Sequence, residues 1–378
     1  MVEWKKLGEI ANITIGEFVH RDKQNPKAKY PVYNGGTTYT GFYEYYNNTG
    51  NKIVISARGY AGFVNRVFDN YWAGNSSYSI DINNSKVLWH YVYYYLKNEQ
   101  YNIMSMQQKG GGLAAISKKQ VQELLIPIPS LSEQSRIVSI LDTFTSSISN
   151  LKQQIEERRK QYEYERNLLL DLEGKEGVEM KKLGEVVSSD CSLSYGIVQP
   201  GDDVADGVPV VRPVDLISNY VKLDGLKKTE RLISESYKRT ILKGNEILFC
   251  VRGTTGIMGL ATNELKGCNV TRGIVPISFD DEITKMFVYY QLKCFRLQKV
   301  IDEKTNGTAL KQINIKDLRL LNLFFPPLST QSRIVSILDT FEQSISNLEE
   351  QLAMREKQYE YYRNQLLTFE GEEERGKT

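Results

Sequence analysis

Residues 134–144 read QSRIVSILDTF, and residues 331–341 read QSRIVSILDTF again, 197 positions later. The likeness runs past the identical stretch: SISNL recurs from 147 and 344, KQYEY from 160 and 357, and Arg166-Asn167 returns as Arg363-Asn364. Aligning Gln134–Leu170 with Gln331–Leu367, 27 of 37 positions are identical, so the chain contains an internal duplication that governs how the rest is read.

Each copy carries its large residues on alternating steps of four and three. In the first they are Ile137, Leu141, Phe144, Ile148, Leu151 and Ile155, continued by Arg158, Tyr162 and Leu169. In the second they are Ile334, Leu338, Phe341, Ile345, Leu348 and Leu352, continued by Arg355, Tyr359, Tyr362 and Leu366. A 3.5-residue period kept for about five heptads, without proline or internal glycine, predicts a coiled-coil seam. Ser132 and Ser329 are expected to cap the two helices, and Glu173-Gly174 and Glu370-Gly371 to close them. About 40 residues at about 1.5 Å each make a rod of about 60 Å, one helix packed on the other. Arg158 and Arg355 hold equivalent seam positions. A charge there specifies register or partner orientation at a cost in stability, unless the side chains snorkel past Tyr162 and Tyr359 into water. Val138, Ile140, Val335 and Ile337 lie off the seam and are expected to pack beneath a globular domain.

The whole chain, at 378 residues with 41% hydrophobic and 25% charged residues, has room for two or three domains of ordinary soluble composition. MVEWKKLGEI is no signal peptide and no run approaches 18 apolar residues, so a cytoplasmic location without membrane contact is expected. Cys191, Cys250, Cys268 and Cys294 include no CxxC pair, and His20 and His90 are the only histidines, which makes reduced cysteines and the absence of a metal site the expectation. The net charge of +2 conceals a split: residues 1–131 carry +5 and 180–329 carry +4, whereas 132–179 and 330–378 carry −3 and −4. A polyanion would be drawn to the globular stretches rather than the helices.

Those globular stretches also correspond. EWKKLGE from Glu3 returns as EMKKLGE from Glu179, and GNKIVISARGYAGFV from Gly50 as GNEILFCVRGTTGIM from Gly244. In each, a strand-like run enters R-G-x-x-G at Arg58 or Arg252. Glycines allow close backbone approach, and an arginine offers a fork to phosphate or to a guanine edge. The same pattern also fits a tight turn whose arginine pairs with a carboxylate. WHYVYYYL from Trp89 and MFVYYQL from Met286 read as buried helices, each followed by a polar, glycine-containing loop that includes Lys109 or Lys304. From loop chemistry the candidate DNA contacts are Arg58, Tyr60, Lys109, Arg252, Thr254, Lys304 and Asn306.

Two divergent domains that open with KKLGE and close with IPIPSLSEQSRIVSILD from Ile126 and FFPPLSTQSRIVSILD from Phe324 resemble the specificity subunit of type I restriction-modification enzymes. The second copy departs by carrying Thr330 where the first has Glu133. The resemblance implies an α+β chain of two mixed target-recognition domains separated by two long helices in an antiparallel coiled coil with pseudo-two-fold symmetry. The domains would be residues 1–131 and 175–329, the helices 132–174 and 330–371, and 372–378 a charged tail. It further implies double-stranded DNA as ligand, each domain reading half of a split target, and two modification subunits docked on the helices. S-adenosylmethionine would sit on those partners, ATP and magnesium on a restriction subunit, and no cofactor on this chain.

Enzyme motifs are lacking. There is no G-x-x-x-x-G-K-[ST] and no nucleophile elbow, Asn25-Pro26 is followed by Lys27, and Pro326-Pro327 is preceded by Phe325, so no amine-holding [ND]PP[YF] segment exists either. A DNA-reading subunit without catalysis of its own is the expectation. A coiled-coil scaffold with protein-binding ends is the alternative.

Overall fold

The computed structural model describes residues 2–107, 114–305 and 311–369. The chain separates into two compact units, Met1–Gln153 with Glu349–Thr378, and Gln154–Leu348. Both long helices are therefore shared, each contributing one part to either unit.

In the first unit a four-stranded antiparallel sheet runs in the order Ala11–Ile15, Ser77–Ile82, Lys52–Ser56, Val64–Val67. Its inner strands are rich in β-branched residues and closed to water, with Ile53, Ile55 and Ile80 fully buried, as expected of strands covered on both faces. A smaller sheet joins Gly41–Tyr43, Tyr30–Tyr33 and Trp72–Ala73. The helix Trp89–Asn98 is buried along Tyr91, Val92, Tyr94, Tyr95 and Leu96, as its aromatic content suggests. Glu3–Lys6 pairs antiparallel with Leu125–Ile128, so the domain's first and last strands meet just before the first long helix, Leu131–Leu169.

The second unit repeats that closure: Glu179–Lys182 pairs with Asn322–Phe325 before the second long helix, Leu328–Leu367. The KKLGE motif explains the shared opening. Glu9 and Glu185 accept the backbone N–H of Lys6 and Lys182 at 3.2 and 2.9 Å, while Leu7 and Leu183 donate to the carbonyls of Leu124 and Leu321. The central sheet here is Met258–Leu260, Ile247–Cys250 and Ile274–Ile277, covered by the helix Glu282–Lys293. Its second sheet holds Lys228–Thr229, Val208–Val211 and Asn269–Val270.

The long helices depart from the expected ends. The first begins at Leu131, so Ser130 supplies the cap, its Oγ accepting the Glu133 N–H at 3.3 Å, and Ser132 lies within the first turn. The second begins at Leu328, where the Pro327 carbonyl takes the Thr330 N–H at 2.8 Å and Ser329 again lies inside. Helical pairing stops at Leu169, short of Gly174, which turns with φ of 72°. Glu370-Gly371 lies outside the described residues.

Candidate nucleic-acid interface

Sequence places an arginine and two glycines after the central strand of each unit, and backbone geometry shows why both glycines are needed. In the first unit the Ala57 N–H donates to the Ser76 carbonyl at 2.7 Å, Gly62 to Ser56 at 2.8 Å and Phe63 to Tyr60 at 3.0 Å. In the second the Val251 N–H donates to Gly273 at 2.8 Å, Gly256 to Cys250 at 2.9 Å and Ile257 to Thr254 at 3.2 Å. These three bonds correspond one to one in the two turns. Gly59 and Gly62 have φ of 75° and 89°, and Gly253 and Gly256 have 88° and 92°, values that side chains with a Cβ rarely adopt. A Cβ on Gly62 would also stand 2.9 Å from the Met104 backbone.

Each turn is fastened to the segment that follows its polar loop. Arg58 bridges antiparallel to Ala115 and Arg252 to Gln312, and the N–H groups of Ile116 and Ile313 donate to Ala57 and Val251, both at 3.0 Å. Arg58, Gly59 and Tyr60 are exposed, as are Gly253 and Thr254, while Arg252 is half-buried. Among the described residues neither arginine makes an ion pair, so the turns do not serve to bury an arginine–carboxylate contact. Lys304 ends the helix Phe295–Lys304, and the Lys311 carbonyl accepts the Gly253 N–H at 2.9 Å. Lys109 and Asn306 lie outside the described residues.

The seam residues fall into two sets. Ile137 and Leu141 are fully buried in the first unit's core with Leu367, and Ile334 and Leu338 occupy the second unit's core. Beyond them Phe144, Ile148, Leu151, Phe341, Ile345 and Leu348 are half-buried. Phe144 stacks on Tyr362 and tilts against Tyr359, with the Arg355 guanidinium 5.7 Å from its ring centre. In the second unit Tyr162 tilts against Phe341, with the Arg158 guanidinium 5.9 Å from that ring. In each unit, then, the start of one long helix lies antiparallel to the end of the other. Both seam arginines lie over a phenylalanine of the facing helix and are only half-buried, so ring and water share their charge. Ile140 does not pack beneath a domain as expected; it lines a cavity with Phe144, Tyr362 and Leu366.

Sequence reading missed what holds each domain to its helix. The Tyr94 hydroxyl donates to Asp142 at 2.5 Å, and Tyr290 donates to Asp339 at 2.5 Å; the two aspartates are the same residue of QSRIVSILDTF. Burial first, and the facing carboxylate second, push the Tyr94 hydroxyl up in pKa, and burial raises Asp339 as well. Arg66 completes the first cluster, donating to Asp142 at 2.9 Å and packing on Phe68, Tyr93 and Tyr94. Lys293 serves the second, reaching Glu342 at 3.0 Å, while Tyr162 donates to the same carboxylate at 2.7 Å. Burial lowers the Lys293 pKa against the pull of Glu342. The repeated glutamine contributes too: Gln134 accepts the Leu88 N–H and donates to the carbonyls of Lys86 and Pro129, and Gln331 donates to Pro326. A polar residue kept identical in both copies of an amphipathic helix was the available signal.

The family model for the type I restriction modification DNA specificity domain matches residues 1–158 and again 175–354. The chain belongs to that family. It is 27% identical to a putative type I restriction enzyme specificity subunit of Haemophilus influenzae, covering 97% of this chain and 96% of that one. It is likewise 27% identical to the EcoR124I/EcoR124II specificity subunit of Escherichia coli, covering 97% and 94%. The Escherichia coli EcoBI specificity subunit is matched at 26% identity over 61% of this chain, which spans 56% of that subunit's length. Among solved structures, the type I restriction-modification S subunit from M. genitalium superposes with a TM-score of 0.69 at 17% identity, covering 98% of this chain and 96% of that one. Family and fold agree on an α+β specificity subunit with an internal repeat. Among the described residues no helix is long and apolar enough to cross a membrane.

Proposed function

We propose that this chain reads DNA for a type I restriction-modification complex, each unit recognising one half of a bipartite target. The observation that carries this is the doubled R-G-x-x-G turn: a corresponding backbone geometry in both units, an arginine with no carboxylate partner among the described residues in each, and dissimilar residues around it. A shared turn suits a shared chemical target such as phosphate, while the differing neighbours suit different base sequences. In this reading residues 1–131 and 175–329 are the readers, and the long helices Leu131–Leu169 and Leu328–Leu367 between and after them set half-site spacing.

The near-identical helices suit two copies of one partner, the modification subunit. Tyr164, Leu168, Met354 and Tyr361 are exposed large side chains on them, available for that docking. The chain itself performs no catalysis; S-adenosylmethionine belongs to the modification subunits, and ATP with magnesium to a restriction subunit. The complex acts in the cytoplasm, where its DNA is.

A gel shift of the purified chain with its modification subunits over a salt series tests the proposal. Retention of duplex that weakens steeply with salt is the expected result. Absence of retention at any salt would leave the scaffold reading in possession.

A further inference from the structure

We infer that the cleft of about 730 Å³ in the first unit, between Phe18–Pro26 and Asn34–Phe42, seats one strand of the duplex, and that Arg21, Gln24, Asn25 and Asn34 read the adjoining base edges. This rests on the DNA-reading function proposed above.

Placement is the first argument. The Gly35 carbonyl accepts the Tyr60 N–H at 3.0 Å, and the Gly36 carbonyl accepts the Ser56 hydroxyl at 2.8 Å. The cleft wall and the Arg58 turn are thereby one body. On the other side the Asn25 N–H donates to the Phe42 carbonyl at 3.0 Å, tying Phe18–Pro26 to the strand Gly41–Tyr43.

Chemistry is the second. Guanine edges favour an arginine fork, and adenine edges favour the paired donor and acceptor of Asn or Gln. All three side-chain types line this cleft. Asn25 and Asn34 use their Oδ1 atoms on the backbone N–H groups of Lys27 and Ser76, at 2.9 and 3.0 Å, which fixes the side chains. Their amide NH2 groups, and the whole polar ends of Arg21 and Gln24, have no hydrogen bond among the described residues. Lys23, Lys27 and Lys29 are exposed close by, with Asp22 as their acidic neighbour, so the surroundings favour a phosphate backbone.

Difference between the units is the third. From the glycine of KKLGE to the turn arginine the separation is 50 positions from Gly8 to Arg58 but 68 from Gly184 to Arg252. The longer stretch folds differently, with the strands Val208–Val211 and Lys228–Thr229 and the helix Arg231–Ser236. Two readers of unlike half-sites should differ at the reading surface, and this is where the domains diverge.

The test uses the full chain assembled with its modification subunits and a pool of randomised duplexes, with sequencing of the retained DNA. Gln24→Glu and Asn25→Asp change the donors while leaving the Asn25 turn acceptor in place, so folding is preserved; Arg21→Ala removes an exposed fork. The wild-type complex is expected to enrich a bipartite motif. Each variant should lose at least tenfold in preference at one or two positions of a single half, with the other half unchanged. Identical motifs from wild type and all three variants would overturn the cleft assignment while leaving the DNA-reading function intact. No motif from the wild type would overturn that function, and the cleft assignment with it.

Discussion

The two domain seats show how much of this molecule is shared and where sharing ends. In both, a tyrosine on the domain's aromatic helix donates to the aspartate of QSRIVSILDTF, and the repeated glutamine holds the entry to the long helix. The accompanying cation differs: Arg66 on a strand in the first unit, Lys293 on a helix in the second. The tyrosine, the aspartate and the glutamine are kept in both seats, whereas the ion pair is not: Arg66 pairs with Asp142, but Lys293 pairs with Glu342, whose counterpart in the first copy is Thr145. Each unit thus adds its own ion pair to a common tyrosine–aspartate contact.

Replacing each cation by methionine is the strongest way to break that comparison. Lys293→Met leaves Glu342, only 13% exposed, without its cation, and should cost about 3 kcal/mol in chemical denaturation. Arg66→Met leaves Asp142, 41% exposed, in contact with water and should cost about 1 kcal/mol. Equal losses would show that burial does not separate the two seats.

The turns offer the next test. Arg58→Ala and Arg252→Ala should each weaken duplex binding by about 2 kcal/mol, roughly 30-fold, by fluorescence anisotropy at fixed salt. A one-sided effect would mean that equal backbone geometry hides unequal roles.

Smaller still, Tyr94→Phe and Tyr290→Phe should each cost about 1 kcal/mol of stability, because each removes one hydrogen bond to a carboxylate that water can partly replace. Unfolding that splits into two transitions, one moved by each variant, would sharpen the comparison further.

The weakest effect concerns pH. Burial lowers the His90 pKa below its ordinary 6.5, with Arg66 adding to this and Asp142 opposing it. The folded state therefore favours the neutral ring: its contribution is full above about pH 6.5 and is lost as pH falls through the lower folded value. The second unit has no histidine, since His20 and His90 are the only two. Hydrogen exchange between pH 7 and 5 should loosen the first unit near His90, and His90→Gln should abolish that change.

The long helices were legible because a strict period and a duplication are properties of the sequence itself, whereas the pairing of each domain's first and last strands appears only in the fold. KKLGE and R-G-x-x-G were legible as repeats, and the glycines' positive φ follows from the residue type. The helix caps were each misjudged by two residues, Ser132 for Ser130 and Ser329 for Pro327, because a serine inside the first turn carries the same local capping chemistry as one before it. Arg66 and Lys293 could not have been found, since their partners stand 76 and 49 positions away and only the fold brings them together. The cleft was equally hidden, its two walls being joined by Asn25 and Phe42 through backbone atoms that any residue carries.

One consequence of the seat reaches the gene. The long-helix residues that both seats share lie within the copied stretch, from Gln134 to Asp142 or Gln331 to Asp339. A reading-frame exchange between the two copies would remove or insert 197 codons, yet each junction would still encode an unbroken glutamine-to-aspartate segment. Rearrangement there changes how many domains are encoded, and in what combination, while keeping the shared glutamine and aspartate at every junction.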